Sequence, residues 1–433
     1  MSFARNAVGV LFTSAVGIPV GLAVGIVLAR FLSPEDRGLY SIATNFAGLA
    51  VILGQLGWNT AAIFRLRRAK SDPARVASAG LAVMLATGLL LFGLLALSQP
   101  FVSRQLLDNA PPLLFFLAIA SVPARLLTTL FGAIARGIGR FGINNTFRFL
   151  GGFLPLPGFI LVLVVYDGSL VELLAIALAI QIVLALSQML AVLRHTGITW
   201  RVDRNEVRES LRFGSKSYAM SLAGHIHQRV DIFMIAYMLA DPAQVAFYAI
   251  SLGLVRQLRL VPESIAVAAL PELSGLAPSA AASFVCKLSR QATAGIVPVL
   301  LAAAVGGGLA IGPIYGAPYQ ASVLPFLVLL VSFPALTVWA TVARFYIATN
   351  RQQTTIGVQA VGLATNIVLN LLLIPKLGIL GAAIGSLTAH LLEGSLLTAV
   401  FIRHTGHSLA DLFLFSRADI EPYRRRLRKL LAR

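Results

Sequence analysis

The chain has 433 residues, of which 58% are hydrophobic and only 12% are charged, and its mean hydropathy is +0.84. A water-soluble domain of this length needs far more charge on its surface, so the composition excludes a soluble globular protein. The net charge of +18 does not indicate nucleic-acid binding, because the basic residues lie in short segments between apolar runs, as they do in membrane proteins. The single cysteine, Cys286, excludes an internal disulfide framework and a cysteine-based zinc site.

About twelve apolar runs are long enough to cross the hydrocarbon of a bilayer, at about 1.5 Å of helix per residue. The run that follows Arg5 is too long for the core of a signal peptide, so it is the first predicted span. The runs 38–64 and 322–348 are expected to kink or tilt. The predicted spans are 8–29, 38–64, 78–98, 112–134, 146–166, 170–193, 213–239, 245–270, 291–312, 322–348, 355–374 and 380–402.

The distribution of basic residues predicts the orientation of these spans. With the N-terminus in the cytoplasm, most Lys and Arg residues outside the spans fall on the cytoplasmic side, as the positive-inside rule requires. The exceptions are Arg30, Arg37, Arg104 and Lys376. Both termini are therefore predicted to be cytoplasmic. The basic and apolar residues of the tail, 405–433, suit a helix on the anionic lipids of the cytoplasmic leaflet, and a disordered arm is the alternative.

Two segments of the chain share one pattern. The first, FLSPEDRGLYSIA, and the second, LADPAQVAFYAIS, each follow the first span of their half. Pro34 lies six positions before Tyr40, and Pro242 lies six positions before Tyr248. Proline in a short external turn is common, so one such match means little. Two matches at equivalent places indicate an internal duplication.

The loop before the fifth span of each half matches as well, since it ends at Arg140 in one half and at Arg351 in the other. Six spans per repeat is an even number, so both halves insert the same way round and are expected to enclose a cavity between them. The sequence thus predicts an all-α, polytopic membrane protein of two pseudo-symmetric six-helix bundles. The predicted bounds are 1–200 and 201–404 for the bundles and 405–433 for the tail.

Three phrases of the sequence resemble a known family. ARFLSPEDRGLYSIA, RVDIFMIAYMLADPAQVAFYAIS and IPKLGILGAAIGS are similar to segments of the polysaccharide-biosynthesis flippases, the O-antigen and exopolysaccharide (Wzx-type) exporters. That family belongs to the MOP superfamily, which also holds the lipid II flippases and the MATE drug exporters. The resemblance covers nearly the whole chain and implies a MATE-like fold that alternates between inward-open and outward-open states.

The same resemblance implies a function and its partners. It implies a transporter of the bacterial inner membrane that flips a polyprenyl-pyrophosphate-linked oligosaccharide, the repeat unit of a polysaccharide. Its partners would be that lipid-linked substrate, anionic membrane lipids, and a polysaccharide polymerase and glycosyltransferases of the same pathway.

Four arginines lie deep within predicted spans: Arg125, Arg229, Arg256 and Arg259. Each charge costs roughly 2.5–3.5 kcal/mol at the centre of a membrane helix, so these side chains are expected to face a wet cavity or a partner. Guanidinium groups bind phosphate oxygens in a fork geometry, which makes the four arginines candidate ligands of the substrate pyrophosphate. Glu263 lies four residues after Arg259, so a purely structural ion pair is the alternative there.

The seventh span carries two polar faces. His225 and Arg229 share one face, while His227 and Asp231 share another. His227, Asp231 and Glu263 are candidates for ion coupling. Two histidines in this arrangement do not make a metal motif, so neither a metal nor a cofactor is predicted.

Three other functions compete with a flippase. A MATE-like, cation-coupled exporter of small molecules is the main alternative, although it favours carboxylates in the cavity and the first span has none. A membrane enzyme acting on the same glycan is disfavoured, because the sequence contains no nucleophile elbow, phosphate loop or metal-ligand spacing. A scaffold without transport activity is the remaining alternative.

Overall fold

The computed structural model describes residues 2–108, 110–199 and 201–414, and within those residues it contains helices and no strand. The part of the predicted basic tail beyond residue 414 lies outside the described residues. In the first half the helices are α1 (Ser2–Phe31), α2 (Pro34–Gly54), α3 (Trp58–Arg67), α4 (Pro73–Leu106), α5 (Pro112–Gly137), α6 (Phe141–Phe153), α7 (Pro155–Ile160) and α8 (Leu170–Thr196). In the second half they are α9 (Arg204–Leu239), α10 (Pro242–Ser274), α11 (Pro278–Tyr315), α12 (Val323–Leu330), α13 (Phe333–Ala348), α14 (Gln352–Leu377), α15 (Ile379–Thr405) and α16 (Leu409–Phe413).

Each predicted span coincides with a helix or with consecutive helical segments, and the prediction of a multi-pass, all-α membrane protein is confirmed. Among the described residues, eight helices are long and apolar enough to cross a membrane, and two bent pairs add two further spans. The bent pairs correspond to the predicted spans 38–64 and 322–348. The axes of α2 and α3 meet at 43°, and those of Ala317–Leu330 and α13 meet at 49°. The expected kinks are therefore present.

The matched segments of the two halves have the same local structure. Pro34 is the first residue of α2, and Pro242 is the first residue of α10. Proline suits the first position of a helix because its fixed φ is already helical and its missing N–H would have no partner there. The side chains of Ser33 and Asp241 each accept a hydrogen bond from a backbone N–H of the first turn, at 3.0 and 2.9 Å. The shared sequence pattern is thus a shared helix start.

The second matched pair also has one local structure. Arg140 immediately precedes α6, and Arg351 immediately precedes α14. The N–H of Arg140 donates to the carbonyl of Ala135 and that of Arg351 to the carbonyl of Tyr346, both at 2.8 Å. These equivalent turns are consistent with the predicted duplication.

Packing divides the chain into two compact units. The first unit contains the chain up to Ala249 together with the short segment Ile314–Pro318, and the second contains Ile250–Pro313 and the chain from Tyr319 onward. In the first unit α5 is central, since it packs against α2, α3, α4, α6 and α8. In the second unit α15 packs against α12, α13 and α14. The predicted division into bundles 1–200 and 201–404 stays a prediction.

Helix α9 is anchored on the break between α2 and α3, within the first unit. Gly57 has a φ of 73°, and its backbone meets that of Gly214 so closely that a side chain on either residue would overlap the other. The rings of Phe64 and Phe213 stack at a centroid distance of 4.1 Å. The hydroxyl of Tyr218 donates to a carbonyl near the end of α2 at 3.2 Å. Helix α9 therefore packs against the bend in the second span. It carries four of the polar residues singled out in the sequence, which are His225, His227, Arg229 and Asp231.

Candidate functional site

Arg229 of α9 lies against α2. Its Nη1 donates to Oδ1 of Asn45 at 2.7 Å. Gly48 makes room for the guanidinium, because a Cβ at that position would lie 2.6 Å from Nη1. This half-buried guanidinium is therefore held by a neutral amide and by close contact with the backbone of α2.

The second polar face of α9 has different surroundings. His227 and Asp231 are both buried, at 6% and 4% exposure, whereas His225 is exposed. The hydroxyl of Tyr248, from the motif that opens α10, donates to Oδ2 of Asp231 at 2.7 Å. Tyr248 is itself fully buried. The motif tyrosine of the second half thus fixes the position of a buried carboxylate.

The motif tyrosine of the first half lies among cations instead. Tyr40 is close enough to Arg125 and Arg37 for electrostatic interaction with both. Arg125 is half-buried in α5 and forms no ion pair within the described part of the chain. Arg37 was assigned to an external turn by its sequence, yet it is only 7% exposed and lies over the ring of Tyr315 at 5.7 Å.

The two arginines of α10 lie in the second unit and differ in their partners. Arg259 pairs with Glu263, with Nη2 and Oε1 separated by 3.4 Å, so the ion pair that their spacing permits is formed. Arg256 is exposed at the protein surface and has no carboxylate partner among the residues that the structure describes. An ion pair with partly exposed side chains stabilises a fold by only about 0–1 kcal/mol, so its presence does not by itself assign Arg259 a structural role.

A buried polar chain between α14 and α15 was missed by the sequence reasoning. Asn366 and Asn370 are both fully buried, and Nδ2 of Asn370 donates to Oδ1 of Asn366 at 3.3 Å. Nδ2 of Asn366 donates to Oγ of Ser386 at 3.2 Å. One turn further along α15, Nδ1 of His390 lies 3.6 Å from Oε2 of Glu393, whose side chain is buried. Two asparagines four residues apart in an apolar span, and a glutamate in the last span, were the available signals.

The described residues contain no group of three or more His, Cys, Asp or Glu side chains placed to hold a metal ion. The predicted site residues are divided between the two units. Arg125, Arg229, His227 and Asp231 lie in the first unit, and Arg256, Arg259 and Glu263 lie in the second.

Comparison with known proteins identifies relatives of the sequence and of the fold. A family profile described as "Polysaccharide biosynthesis protein" matches residues 27–324. A search of curated proteins finds no match. Among solved structures, the lipid II flippase MurJ in an inward closed conformation is similar to this chain with a TM-score of 0.75, at 14% identity over 94% of this chain and 89% of that one.

Two other transporters have the same fold. An inward-facing multidrug resistance MATE family transporter of the MOP superfamily matches with a TM-score of 0.70, at 16% identity over 92% of this chain and 98% of that one. A MOP superfamily transporter from Pyrococcus furiosus matches with a TM-score of 0.57, at 15% identity over 94% and 95% of the two chains. The MATE-like fold that the sequence motifs implied is confirmed.

Proposed function

The chain belongs to the polysaccharide biosynthesis protein family, and we propose that it flips a polyprenyl-pyrophosphate-linked oligosaccharide across the bacterial inner membrane, with both termini in the cytoplasm. The observation that carries this proposal is that two guanidinium groups within membrane spans, those of Arg125 and Arg256, have no carboxylate partner in the described structure. A cation in a low-dielectric region requires a counter-charge or water. A pyrophosphate headgroup supplies that charge and matches the fork geometry of arginine.

In this proposal the substrate divides between two environments. The polyprenyl tail stays in the bilayer, while the pyrophosphate and its sugars cross along a polar route through the protein. Arg125, Arg229, Arg256 and Arg259 bind the pyrophosphate along that route. The contact with Asn45 supports this role for Arg229, because the side-chain amide accepts from Nη1 and holds the guanidinium against α2.

The proposal for Arg256 and Arg259 is tested by export of the glycan from cells that carry variants of this chain. Arg256→Gln together with Arg259→Gln is expected to block export while membrane insertion stays intact. Arg403→Gln, a change of an exposed arginine at the end of α15, is the matched control and is expected to export normally. Unchanged export from the double variant would overturn phosphate binding by α10.

A third variant separates substrate binding from simple ion pairing at Arg259. If Arg259 only neutralises Glu263, then Arg259→Gln combined with Glu263→Gln should bind farnesyl pyrophosphate as the wild type does, because both charges are removed together. If Arg259 binds phosphate, the combined variant should bind this probe as weakly as Arg259→Gln alone. Binding is the readout here because, unlike export, it does not depend on the proposed ion coupling by Glu263.

We also propose that His227, Asp231 and Glu263 couple transport to an ion gradient. The carboxylate of Asp231 is buried and accepts a hydrogen bond from Tyr248, so a change in its charge would alter the packing around it. This arrangement supports a role for Asp231 in ion coupling. Asp231→Asn is expected to abolish the response of transport to an imposed pH gradient. Transport by Asp231→Asn that responds to the gradient as the wild type does would contradict this role.

Cation-coupled export of small molecules is the second candidate function, and one observation favours it. Asp231 and Glu393 are buried carboxylates, a residue type that suits cation coupling. Efflux of a cationic dye such as ethidium from cells expressing the protein separates the two functions. A flippase is expected to leave the dye content of the cells unchanged.

A further inference from the structure

On the side of the first unit that the charge distribution assigns to the cytoplasm, two arginines form ion pairs with carboxylates. Arg65 pairs with Glu206 and Glu209, and Arg75 pairs with Asp72 and Asp203. Arg136 and Arg148, in contrast, have no carboxylate partner within the part of the chain that the structure describes.

Arg136 and Arg148 converge where α5 meets α6. Arg136 lies in the last turn of α5, and its Nη1 donates to Oδ1 of Asn144 at 2.9 Å. Arg148 follows Asn144 by one turn of α6, so it lies on the face of that helix that Arg136 contacts, and its charge acts on the guanidinium of Arg136. Two like charges held together without an acid raise the local potential and attract an anion.

Neutral polar groups surround the pair. Gln188 of α8 is only 2% exposed, and its Oε1 forms no hydrogen bond among the described residues. A Cβ built at Gly132 would lie 3.0 Å from Oδ1 of Asn144 and 3.3 Å from Nε2 of Gln188, so both amides meet at this glycine. Nε2 of Gln188 therefore lies beside the hydrogen bond between Arg136 and Asn144, where it can donate to a bound oxygen anion.

Contacts with α3 fix the rim of this cluster. Nε and Nη2 of Arg67 donate to the backbone carbonyl of Arg136 at 3.1 and 3.0 Å. The Cζ of Arg67 also lies 5.0 Å from the centre of the Phe141 ring, a cation–π distance. Arg67 therefore ties α3 to the turn between α5 and α6 and adds a third positive charge beside it.

We propose that Arg136, Arg148, Asn144 and Gln188 form a site for the phosphate groups of a lipid headgroup in the cytoplasmic leaflet. The ligand chemistry follows from the donors: two guanidinium groups and two amides, with neither arginine paired to a carboxylate among the described residues. Two sources share this chemistry, a prenyl pyrophosphate and an anionic phospholipid. The first source rests on the proposed function, since the site would then hold the substrate before it crosses.

The test uses the full-length protein in nanodiscs of phosphatidylcholine and measures binding of two probes, farnesyl pyrophosphate and phosphatidylglycerol. Arg136→Gln with Arg148→Gln is expected to weaken binding of at least one probe by about tenfold or more, because a hydrogen bond to a charged group is lost at each position. Arg75→Gln removes the same charge from the same side of the protein at an exposed, carboxylate-paired position, and it should change binding by less than about twofold.

The outcomes of this test have distinct meanings. Weaker binding of farnesyl pyrophosphate alone assigns the site to the substrate headgroup, and weaker binding of phosphatidylglycerol alone assigns it to a phospholipid. Unchanged binding of both probes overturns the site. Arg148→Gln alone is the control for misfolding of the double variant, because Arg148 is exposed and its replacement leaves the packing intact. If the wild type flips a lipid-linked glycan in liposomes while probe binding is unaffected by the variants, the site fails and the proposed function stands.

Discussion

Replacing Arg65 with Gln should destabilise the protein more than replacing an exposed, ion-paired arginine such as Arg75. Glu206 is only 4% exposed, and it accepts hydrogen bonds from Nε of Arg65 at 2.8 Å and from Oγ of Ser210 at 3.1 Å. Without the guanidinium of Arg65, the buried carboxylate of Glu206 keeps one neutral hydrogen-bond donor, the hydroxyl of Ser210. Breaking a buried ion pair from one side costs roughly 3–5 kcal/mol, and the lower end applies because the side chain of Arg65 is 19% exposed.

Thermal unfolding in detergent micelles measures this loss. The entropy of unfolding is about 2 cal/mol/K per residue, so a loss of about 3 kcal/mol in a chain of this length lowers the unfolding midpoint by about 3 °C. Arg75→Gln is the matched control, because the side chain of Arg75 is 61% exposed and its ion pairs are long, at 3.7 and 3.8 Å. Its midpoint should fall by less than about 1 °C.

A double-mutant cycle completes the design. Arg65→Gln combined with Glu206→Gln should recover part of the lost stability, because two neutral side chains leave no buried charge without a partner. Equal midpoints for Arg65→Gln and Arg75→Gln would refute the reasoning. The reasoning would also be refuted if Arg65→Gln/Glu206→Gln were less stable than Arg65→Gln by as much as Glu206→Gln alone costs in the wild type.

Two further substitutions test the surroundings of α9. Tyr248→Phe should lower the free energy of unfolding by about 1.5–3 kcal/mol, because the charged carboxylate of Asp231 loses a hydrogen bond. Tyr40→Phe at the matched position is the control. It should cost less, because the hydroxyl of Tyr40 makes no hydrogen bond in the described structure. Denaturant titration compares the two, and equal losses would contradict the assigned bond. Gly48→Ala should displace the guanidinium of Arg229 and reduce glycan export about tenfold through loss of one charge-assisted contact, and full export would contradict the role of that contact.

The spans and their bends could be predicted from the sequence, because the thickness of the bilayer fixes the length of an apolar helix. The runs 38–64 and 322–348 are predicted to kink or tilt, and both are bent in the structure. The repeated proline motif could be predicted to start a helix, since proline at the first position requires nothing beyond its own φ. These features depend on local chemistry and on the lipid, so a single sequence contains them.

The partners of the polar residues could not be predicted. Arg37 looks like an external turn residue, yet it is buried and lies over the ring of Tyr315, which is far away in the sequence. Asn45 carries no signal of its own, and it becomes important only because α9 brings Arg229 against it. Contacts of this kind depend on how helices pack, and hydropathy contains no information about which helix faces which.

Reconstituted liposomes provide the most direct test of the proposed flipping activity. A polyprenyl-pyrophosphate-linked glycan with a fluorescent label is placed in both leaflets, and a membrane-impermeant quencher is added outside. With the wild-type protein the label of the inner leaflet should become accessible and be quenched, and the variant Arg256→Gln/Arg259→Gln should leave it protected. Protection of the inner leaflet in wild-type liposomes equal to that in protein-free liposomes would contradict the account.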